Sequence, residues 1–335
     1  MRTLTWIQAS WTLHIWNYFW AMKQMVDVQN SKKDWDEIFM MIADMHSLTS
    51  LNKSWDAKQL RENVKNTILD YLAVWLDPEK VILYAQSDIP EVTELYWYLS
   101  PVTWMWMLQQ AHSYKDKVAN WVSPNHALFS YPVLMAADIL IVKADKVPVW
   151  KDQIQHLEMT RDIAKKFNST YCEEWNEVFT IPEAKIQEEL KTIPGLDWQK
   201  MSKSYWNTIP LFWTENEIKK KVMSISTDSK TVEEAKDPEW CNIFALYKLV
   251  SSEEEIEEMK QNYINWNYWY WDAKKALLEN MKKYFWPMWE KRKELEEKCK
   301  NDKNFLAEIR KMWEEKMKRH AFKVLEKVRR KVWVR

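Results

Sequence analysis

Glycine is almost absent from this 335-residue sequence, which contains only Gly195. A chain of this length ordinarily has roughly 23 glycines, because glycine is about 7% of average composition. Tight turns that need a positive φ would then have to be made by residues that resist it. Tryptophan is in excess by the same amount, since the 24 tryptophans and the single glycine together number 25.

The matching deficit and excess lead to a hypothesis about coding. Most of the tryptophan letters would mark UGA codons that the source organism reads as glycine, translated here with a table that assigns UGA to tryptophan. The basic residues agree, because 40 lysines against 9 arginines is the bias of an A+T-rich genome. The alternative is a truly tryptophan-rich protein that makes its turns almost without glycine.

Cysteine and long hydrophobic runs are also scarce. Cys172, Cys241 and Cys299 are too far apart for a disulfide framework or a close-spaced metal site, which predicts free thiols. The longest apolar stretch, Val133 to Val142, is interrupted by Asp138 and is far shorter than the roughly 20 residues that span a bilayer. The N-terminus lacks the apolar core of a signal peptide. We therefore expect no membrane association and a cytoplasmic protein.

Short apolar runs alternate with longer segments of helical periodicity, which predicts an α/β fold with a Rossmann-type parallel sheet. Beyond about residue 205 the pattern is helical only, and Ser251-Ser252 followed by Glu255 is typical of a capping box. We predict a Rossmann catalytic domain over 1–207 and an all-α domain over 208–335. The predicted strands are Leu4 to Ile7, Glu37 to Ala43, Val81 to Ala85 and Ile139 to Val142, and the predicted helices are Trp16 to Val28, Ala57 to Val74, Glu91 to Leu99 and Lys151 to Phe167.

The net charge of zero conceals an asymmetry between the two ends of the chain. Residues 281–335 contain 19 basic and 9 acidic residues, whereas the first 280 contain 30 and 40. A solvated helix face explains such a run, and so does an electrostatic surface for nucleic acid.

The segment Lys200-Met201-Ser202-Lys203-Ser204 concentrates two ammonium groups and two hydroxyls in five residues. Such a loop can surround a polyphosphate and stabilise the charge that develops as a phosphoryl bond breaks. A polar surface turn is the alternative. A partner motif favours the phosphate site.

That partner, residues 8–18, follows the first predicted strand and contains His14-Ile15-Trp16-Asn17. With Trp11 and Trp16 read as glycine, the segment becomes a strand, a glycine turn and a helix start, where backbone and helix N-terminus can approach phosphates. It resembles the HIGH signature of class I aminoacyl-tRNA synthetases, although Asn17 replaces the final histidine. Taken alone, His14 could be an ordinary partly buried histidine.

Two further segments, Tyr131 to Leu140 and Val147 to His156, resemble the tryptophanyl-tRNA synthetase family, and the similarity covers nearly the whole chain. A carboxylate within an apolar run needs a donor, and the resemblance implies that Asp138 accepts a hydrogen bond from the indole of bound tryptophan. Capping a helix or pairing with a lysine are the alternatives. The resemblance further implies that the tryptophan site contains Gln8, Tyr131, Met135, Asp138 and Gln153.

The resemblance implies ATP and Mg²⁺ as cofactors, and L-tryptophan and tRNA(Trp) as substrates of a homodimeric ligase. His14, Asn17, Lys117, Lys200 and Lys203 would be catalytic, although Lys117 could equally be an exposed helix lysine, and no resident metal site is expected. The ATP site would comprise Gln8, Ala9, Ser10, Trp16, Asn17, Trp150, Lys151, Asp152, Ile193, Lys200, Met201, Ser202, Lys203 and Ser204.

Two alternatives share these motifs. A tyrosine-specific class I enzyme has both signatures, but the Met135-Ala136-Ala137-Asp138 segment speaks against a site for a phenol. A catalytically inactive synthetase-like RNA-binding protein is expected if the tryptophans are real, because indoles at the ATP site would crowd it. The positions at which the family usually has glycine are Trp6, Trp11, Trp16, Trp20, Trp75, Trp104, Trp121, Trp150, Trp198 and Trp206, whereas Trp97 stands where a true tryptophan is common and Trp35 is ambiguous.

Overall fold

A computed structural model of the chain describes residues 1–9, 13–50, 54–111, 114–115, 125–149, 151–186, 194–199, 201, 206–265 and 268–333. Within these ranges a five-stranded sheet forms the centre of the molecule. All its neighbouring strands pair in parallel, in the order β3-β2-β1-β4-β5. The strands are β1 (Arg2–Ile7), β2 (Glu37–Ile42), β3 (Val81–Ala85), β4 (Lys146–Val149) and β5 (Glu183–Ile186).

Helices connect the strands and continue after the last one. The predicted helices are confirmed within a few residues at each end. The α-helices are α1 (Ile15–Asn17), α2 (Lys23–Asn30), α3 (Asp44–Ser47), α4 (Ser54–Ala73), α5 (Glu91–Leu99), α6 (Met105–Gln109), α7 (His126–Ile141), α8 (Lys151–Tyr171), α9 (Glu215–Met223), α10 (Asn242–Tyr247), α11 (Glu253–Ile264), α12 (Tyr270–Asn301) and α13 (Phe305–Lys331), with a π-helical turn, Tyr18–Met22, between α1 and α2.

The sheet is covered on both faces, as its apolar strands require. In β2, Met40 belongs to one hydrophobic cluster and Phe39 to the other, because successive side chains point to opposite faces. Helices α4 and α12 pack in the first cluster, and α5, α7 and α8 in the second. The predicted α/β fold with a parallel sheet is confirmed.

One predicted strand is wrong. Ile139 to Val142 lies at the end of α7 instead, and the fourth strand is β4. Eleven residues of α7 are buried, so the helix has no polar stripe. A short run that is apolar on every side looks the same in a buried strand and in a buried helix.

The C-terminal part contains helices and no strand in its described residues. The predicted capping box is present at the start of α11, where the Ser252 amide donates to the Glu255 carboxylate and the Glu255 amide to Ser252 Oγ. The last helix, α13, returns to the sheet, since Leu325 and Val328 share the second cluster with Leu4. The division at residue 207 stays a prediction.

The described ranges contain no helix that combines the length and the apolar character needed to cross a membrane.

Candidate active site

The strand order reverses direction between β1 and β4, which is the point where open α/β sheets bind ligands beyond the carboxyl ends of their strands. At this edge β1 is followed by Gln8 and Ala9, of which Gln8 is exposed and Ala9 is buried. Polar residues also follow the next two strands on one side of β1, namely β2 and β3. Asp44 and His46 come after β2, and Gln86 comes after β3.

Asp138 lies in α7 and is 1% exposed. Gln86 Nε2 donates to its two oxygens at 3.0 and 2.9 Å, and His46 Nε2 lies 3.0 Å from Oδ2. Burial raises the pKa of the Asp138 carboxyl, whereas the hydrogen bonds and charge of His46 and the hydrogen bond of Gln86 oppose that rise. Among the described residues, the partners of Asp138 are therefore a histidine and an amide rather than a helix end or a lysine.

The two turns that carry these partners are joined by Asp44. Its Oδ1 accepts from the backbone amide of Ser87 at 3.0 Å and its Oδ2 from the Ser87 hydroxyl at 2.5 Å. Because His46 and Gln86 stand one or two residues from this junction, it holds both donors in place around Asp138.

Tyr131, Met135 and Asp138 follow one another at i, i+4 and i+7 on α7 and so lie along one stripe of the helix. The Tyr131 hydroxyl is 2.6 Å from His156 Nε2, and its ring stands perpendicular to that of His46 at 6.1 Å. The structure thus brings together three of the five residues predicted for the tryptophan site. Gln153, on α8, lies three residues before His156.

His46, Gln86, Asp44 and His156 were missed by the sequence reasoning. The first three were detectable, because they are polar residues placed directly after buried parallel strands. His156 follows no strand, and the signal that could have found it is its place at the end of the segment Val147 to His156, which resembles the family.

The turn with His14 and Asn17 begins α1. The His14 amide donates to Asn17 Oδ1 at 3.0 Å, which closes half of a capping box. This turn pairs with the chain beyond the lysine-serine loop. The Ile15 amide donates to Ile209 O at 3.0 Å, and the Leu211 amide to Leu13 O at 2.8 Å.

The single glycine lies at the base of the lysine-serine loop. A Cβ at Gly195 would lie 2.1 Å from Asn207 Nδ2, and that same amide donates to Asp197 Oδ1 at 2.6 Å. The Leu196 amide in turn donates to Asn207 O. Residues 195–197 and Asn207 are therefore joined, and a larger residue at 195 would displace the Asn207 side chain.

The remaining predicted residues divide into two groups. Met201 is 3% exposed in the first cluster, and Trp16 is 8% exposed with its ring 4.9 Å from that of Trp20. Outside the described residues lie Ser10, Lys117, Trp150, Ile193, Lys200, Ser202, Lys203 and Ser204, together with the side chains of Lys151 and Asp152.

The parallel sheet with its switch point between β1 and β4, and the pairing of the His14 turn with residues 209–211, agree with the fold of class I tRNA synthetases. The family described as tRNA synthetases class I (W and Y) matches residues 1–286. A tryptophan–tRNA ligase from Fusobacterium nucleatum is 50% identical over 92% of this chain and 91% of its own. A tryptophan–tRNA ligase from Campylobacter jejuni is 46% identical over 98% of this chain and 99% of its own. The chain belongs to the tryptophan–tRNA ligases of this class.

Solved structures agree. The crystal structure of the Campylobacter jejuni tryptophanyl-tRNA synthetase complexed with ADP and tryptophan has a TM-score of 0.89, at 44% identity and 99% coverage of both chains. A tyrosyl-tRNA synthetase from Archaeoglobus fulgidus has a TM-score of 0.63 at 16% identity, a likeness of fold alone.

Proposed function

We propose that this chain activates L-tryptophan with ATP and transfers it to tRNA(Trp), using Asp138 to recognise the indole. The observation that carries this is the buried carboxylate at the carboxyl edge of the sheet. A carboxylate has about four lone-pair sites. Oδ1 has one hydrogen-bond partner, Gln86, whereas Oδ2 has two, Gln86 and His46. An indole N–H therefore fits best at Oδ1.

The first half-reaction is an attack of the tryptophan carboxylate on the α-phosphorus of ATP, which releases pyrophosphate. Catalysis of this step consists of positioning and charge stabilisation, without a protein nucleophile. In the proposal, Gln8, Tyr131 and Gln153 hold the amino acid's ammonium and carboxylate, and Met135 packs on its ring. The hydrogen bond between Tyr131 and His156 supports this, because it orients the phenol.

The two signature loops would hold ATP. His14 and Asn17 steady the phosphates and ribose, and Lys117, Lys200 and Lys203 hold the departing pyrophosphate. The pairing of 13–15 with 209–211 supports this arrangement, since it joins the bases of both loops. In the proposal, Mg²⁺ arrives with the phosphates of ATP.

The remaining ATP contacts of the proposal come from Ala9, Ser10, Trp16, Trp150, Lys151, Asp152, Ile193, Met201, Ser202 and Ser204. The basic C-terminal helices would receive the anticodon arm of the tRNA in a homodimer, in the cytoplasm, where translation takes place.

Coding of glycine as UGA is part of the proposal, and the backbone supports it. In the described residues, five residues other than glycine have a positive φ, namely Lys143 and the four tryptophans Trp75, Trp198, Trp206 and Trp333. Trp75 has a φ of 65°. It follows α4 in a Schellman motif, where its amide donates to Leu72 O and the Leu76 amide to Tyr71 O. Glycine is the usual residue at this position.

Exchange of pyrophosphate into ATP tests the proposed function. The protein made with the family's glycine positions restored should catalyse exchange with tryptophan and not with tyrosine or phenylalanine. Exchange that depends on tyrosine would favour the tyrosine-specific alternative. The inactive relative requires real tryptophans and is tested with the chain as written: binding of RNA without exchange, together with TGG codons at these positions, would favour it. Reading TGA codons at Trp75, Trp198 and Trp206 tests the coding hypothesis separately.

A further inference from the structure

A basic pocket opens at the amino end of the sheet, opposite the candidate active site. Its cavity volume is about 390 Å³. The first residue of β1, Arg2, lies on its wall, and six residues of strand at about 3.3 Å each separate it from Gln8 by roughly 20 Å. The lining residues are Arg2, Lys143, His320, Lys323, Val324, Glu326, Lys327 and Arg330. It shares no residue with the proposed tryptophan or ATP site.

Five of the lining side chains are cations, and the nearby carboxylates are already engaged. Glu326 pairs with Arg330 at 2.6 Å. Glu37, beside the pocket, binds both Arg2 at 2.7 Å and His320 at 3.1 Å. Lys143, Lys323 and Lys327 have no ion pair in the described part of the chain. The pocket thus holds positive charge that the fold does not neutralise.

The presence of a lysine at position 143 is unfavourable for the stability of the fold. Lys143 is half-buried, and burial lowers its pKa, as do the charges of Lys327 and Arg2. Its φ of 52° is left-handed, because it occupies the position after α7 in a Schellman motif, with its amide donating to Leu140 O and the Ala144 amide to Ile139 O. Glycine at this place would remove both the backbone strain and the desolvation of a charge.

We propose that this pocket binds a phosphate-bearing anion, with Lys143, Lys323, Lys327 and Arg330 as its ligands. One of these cations follows the end of α7 and the other three lie on α13. Four cations in one pocket can bind several adjacent phosphate oxygens, which is more than a single carboxylate offers. The volume is that of a small-molecule site. The two sources of this chemistry are a free polyphosphate and consecutive phosphates of an RNA backbone.

Calorimetric titration of the full chain tests the site, with inorganic tripolyphosphate in one arm and a single-stranded RNA oligonucleotide in the other. The pocket variant combines Lys143→Asn with Lys327→Gln, since asparagine tolerates a positive φ. The matched control combines Lys311→Gln with Arg319→Gln, which removes two exposed charges from the same helix outside the pocket. Lys143→Arg keeps the positive charge at this position. If it binds the phosphate ligand as the wild type does, the weaker binding of the pocket variant is due to lost charge and not to misfolding.

We expect the pocket variant to bind one phosphate ligand fewer per chain, or to bind it about tenfold more weakly, because two of five cations are gone. Loss in the tripolyphosphate arm alone identifies a free polyphosphate, and loss in the RNA arm identifies a backbone site. Equal binding by the pocket variant and the control in both arms would overturn the proposal. The synthetase assignment is read separately, because tryptophan-dependent exchange should be the same in both variants.

Discussion

Arg292 and Asp70 form a buried ion pair that joins α12 to α4, with Nε 2.8 Å from Oδ1. The same guanidinium donates to Glu296 at 2.7 Å and to Asn66 at 3.1 Å, so all three of its nitrogens donate a hydrogen bond. The pair links helix α12 of the C-terminal part to α4 through two largely buried charges.

Removal of one partner should be strongly destabilising. We expect Arg292→Leu to lower the free energy of unfolding by about 3 to 5 kcal/mol, because it leaves the Asp70 charge buried and unpaired. The double variant with Asp70→Leu should recover a large part of that loss. Urea unfolding of the wild type, both single variants and the double variant measures the coupling. Additive losses in the double variant would show that the pair does not act as a unit.

The same aspartate should make stability depend on pH. Burial outweighs the attraction of Arg292 and raises the pKa of Asp70 to about 6. The folded state therefore binds a proton that the unfolded chain, with a pKa of about 3.9, has released. The stability contributed by this proton is present below about pH 4 and is lost as the pH rises through 6.

Urea unfolding at pH 4.5 and pH 6.5 measures this effect: in the wild type, the contribution of Asp70 to the free energy of unfolding should be smaller at pH 6.5 than at pH 4.5. The pH dependence is the slope between the two values. Asp70→Asn should flatten it, whereas Asp162→Asn, a change at an exposed position on α8, should leave it unchanged. The same slope in Asp70→Asn as in the wild type would assign the pH dependence to other groups.

Asp138→Ala should weaken tryptophan activation by about 2 to 3 kcal/mol, because the indole N–H loses a charged acceptor. Binding of ATP without tryptophan should change little. Asp138→Asn keeps the volume and serves as the variant with the smaller folding defect, and Asp162→Ala is the surface control. Equal losses of tryptophan activation and ATP binding would give Asp138 a role in folding rather than recognition.

Lys200→Ala and Lys203→Ala should lower kcat for adenylate formation more than they raise the KM for ATP. Their charge matters most when pyrophosphate departs, so the loss is expected in the transition state. Pyrophosphate exchange over a range of ATP concentrations separates the two constants. A raised KM for ATP with an unchanged kcat would show that both lysines only bind ATP in the ground state.

Trp75→Gly should stabilise the chain as written by roughly 1 to 2 kcal/mol, because the left-handed conformation penalises a side chain. Trp97→Gly is the matched control, since Trp97 is also exposed but lies inside α5. Glycine there should destabilise by about 1 kcal/mol. Thermal melts of both proteins provide the comparison. Destabilisation by Trp75→Gly would count against glycine at that position.

The sequence predicted the first three strands of the sheet and several helices, because these depend on local periodicity, whereas Tyr131 and Asp138 were proposed for the tryptophan site from the family resemblance. It did not predict the partners of Asp138. His46 and Gln86 are 92 and 52 residues away in the chain, and only the parallel order of β2 and β3 brings them to one carboxylate. The strand proposed at Ile139 to Val142 failed for a related reason, since burial on every side removes the polar stripe that marks a helix.

The pairing between residues 13–15 and 209–211 has a consequence for biosynthesis. Contacts this far apart in the chain form late, after the intervening segments have collapsed. Chains are made from the N-terminus at about 5 to 20 residues per second, so the His14 turn waits roughly ten seconds or more for its partner to be made. Until residue 211 has left the ribosome, the nascent chain has the His14 turn without the segment that pairs with it.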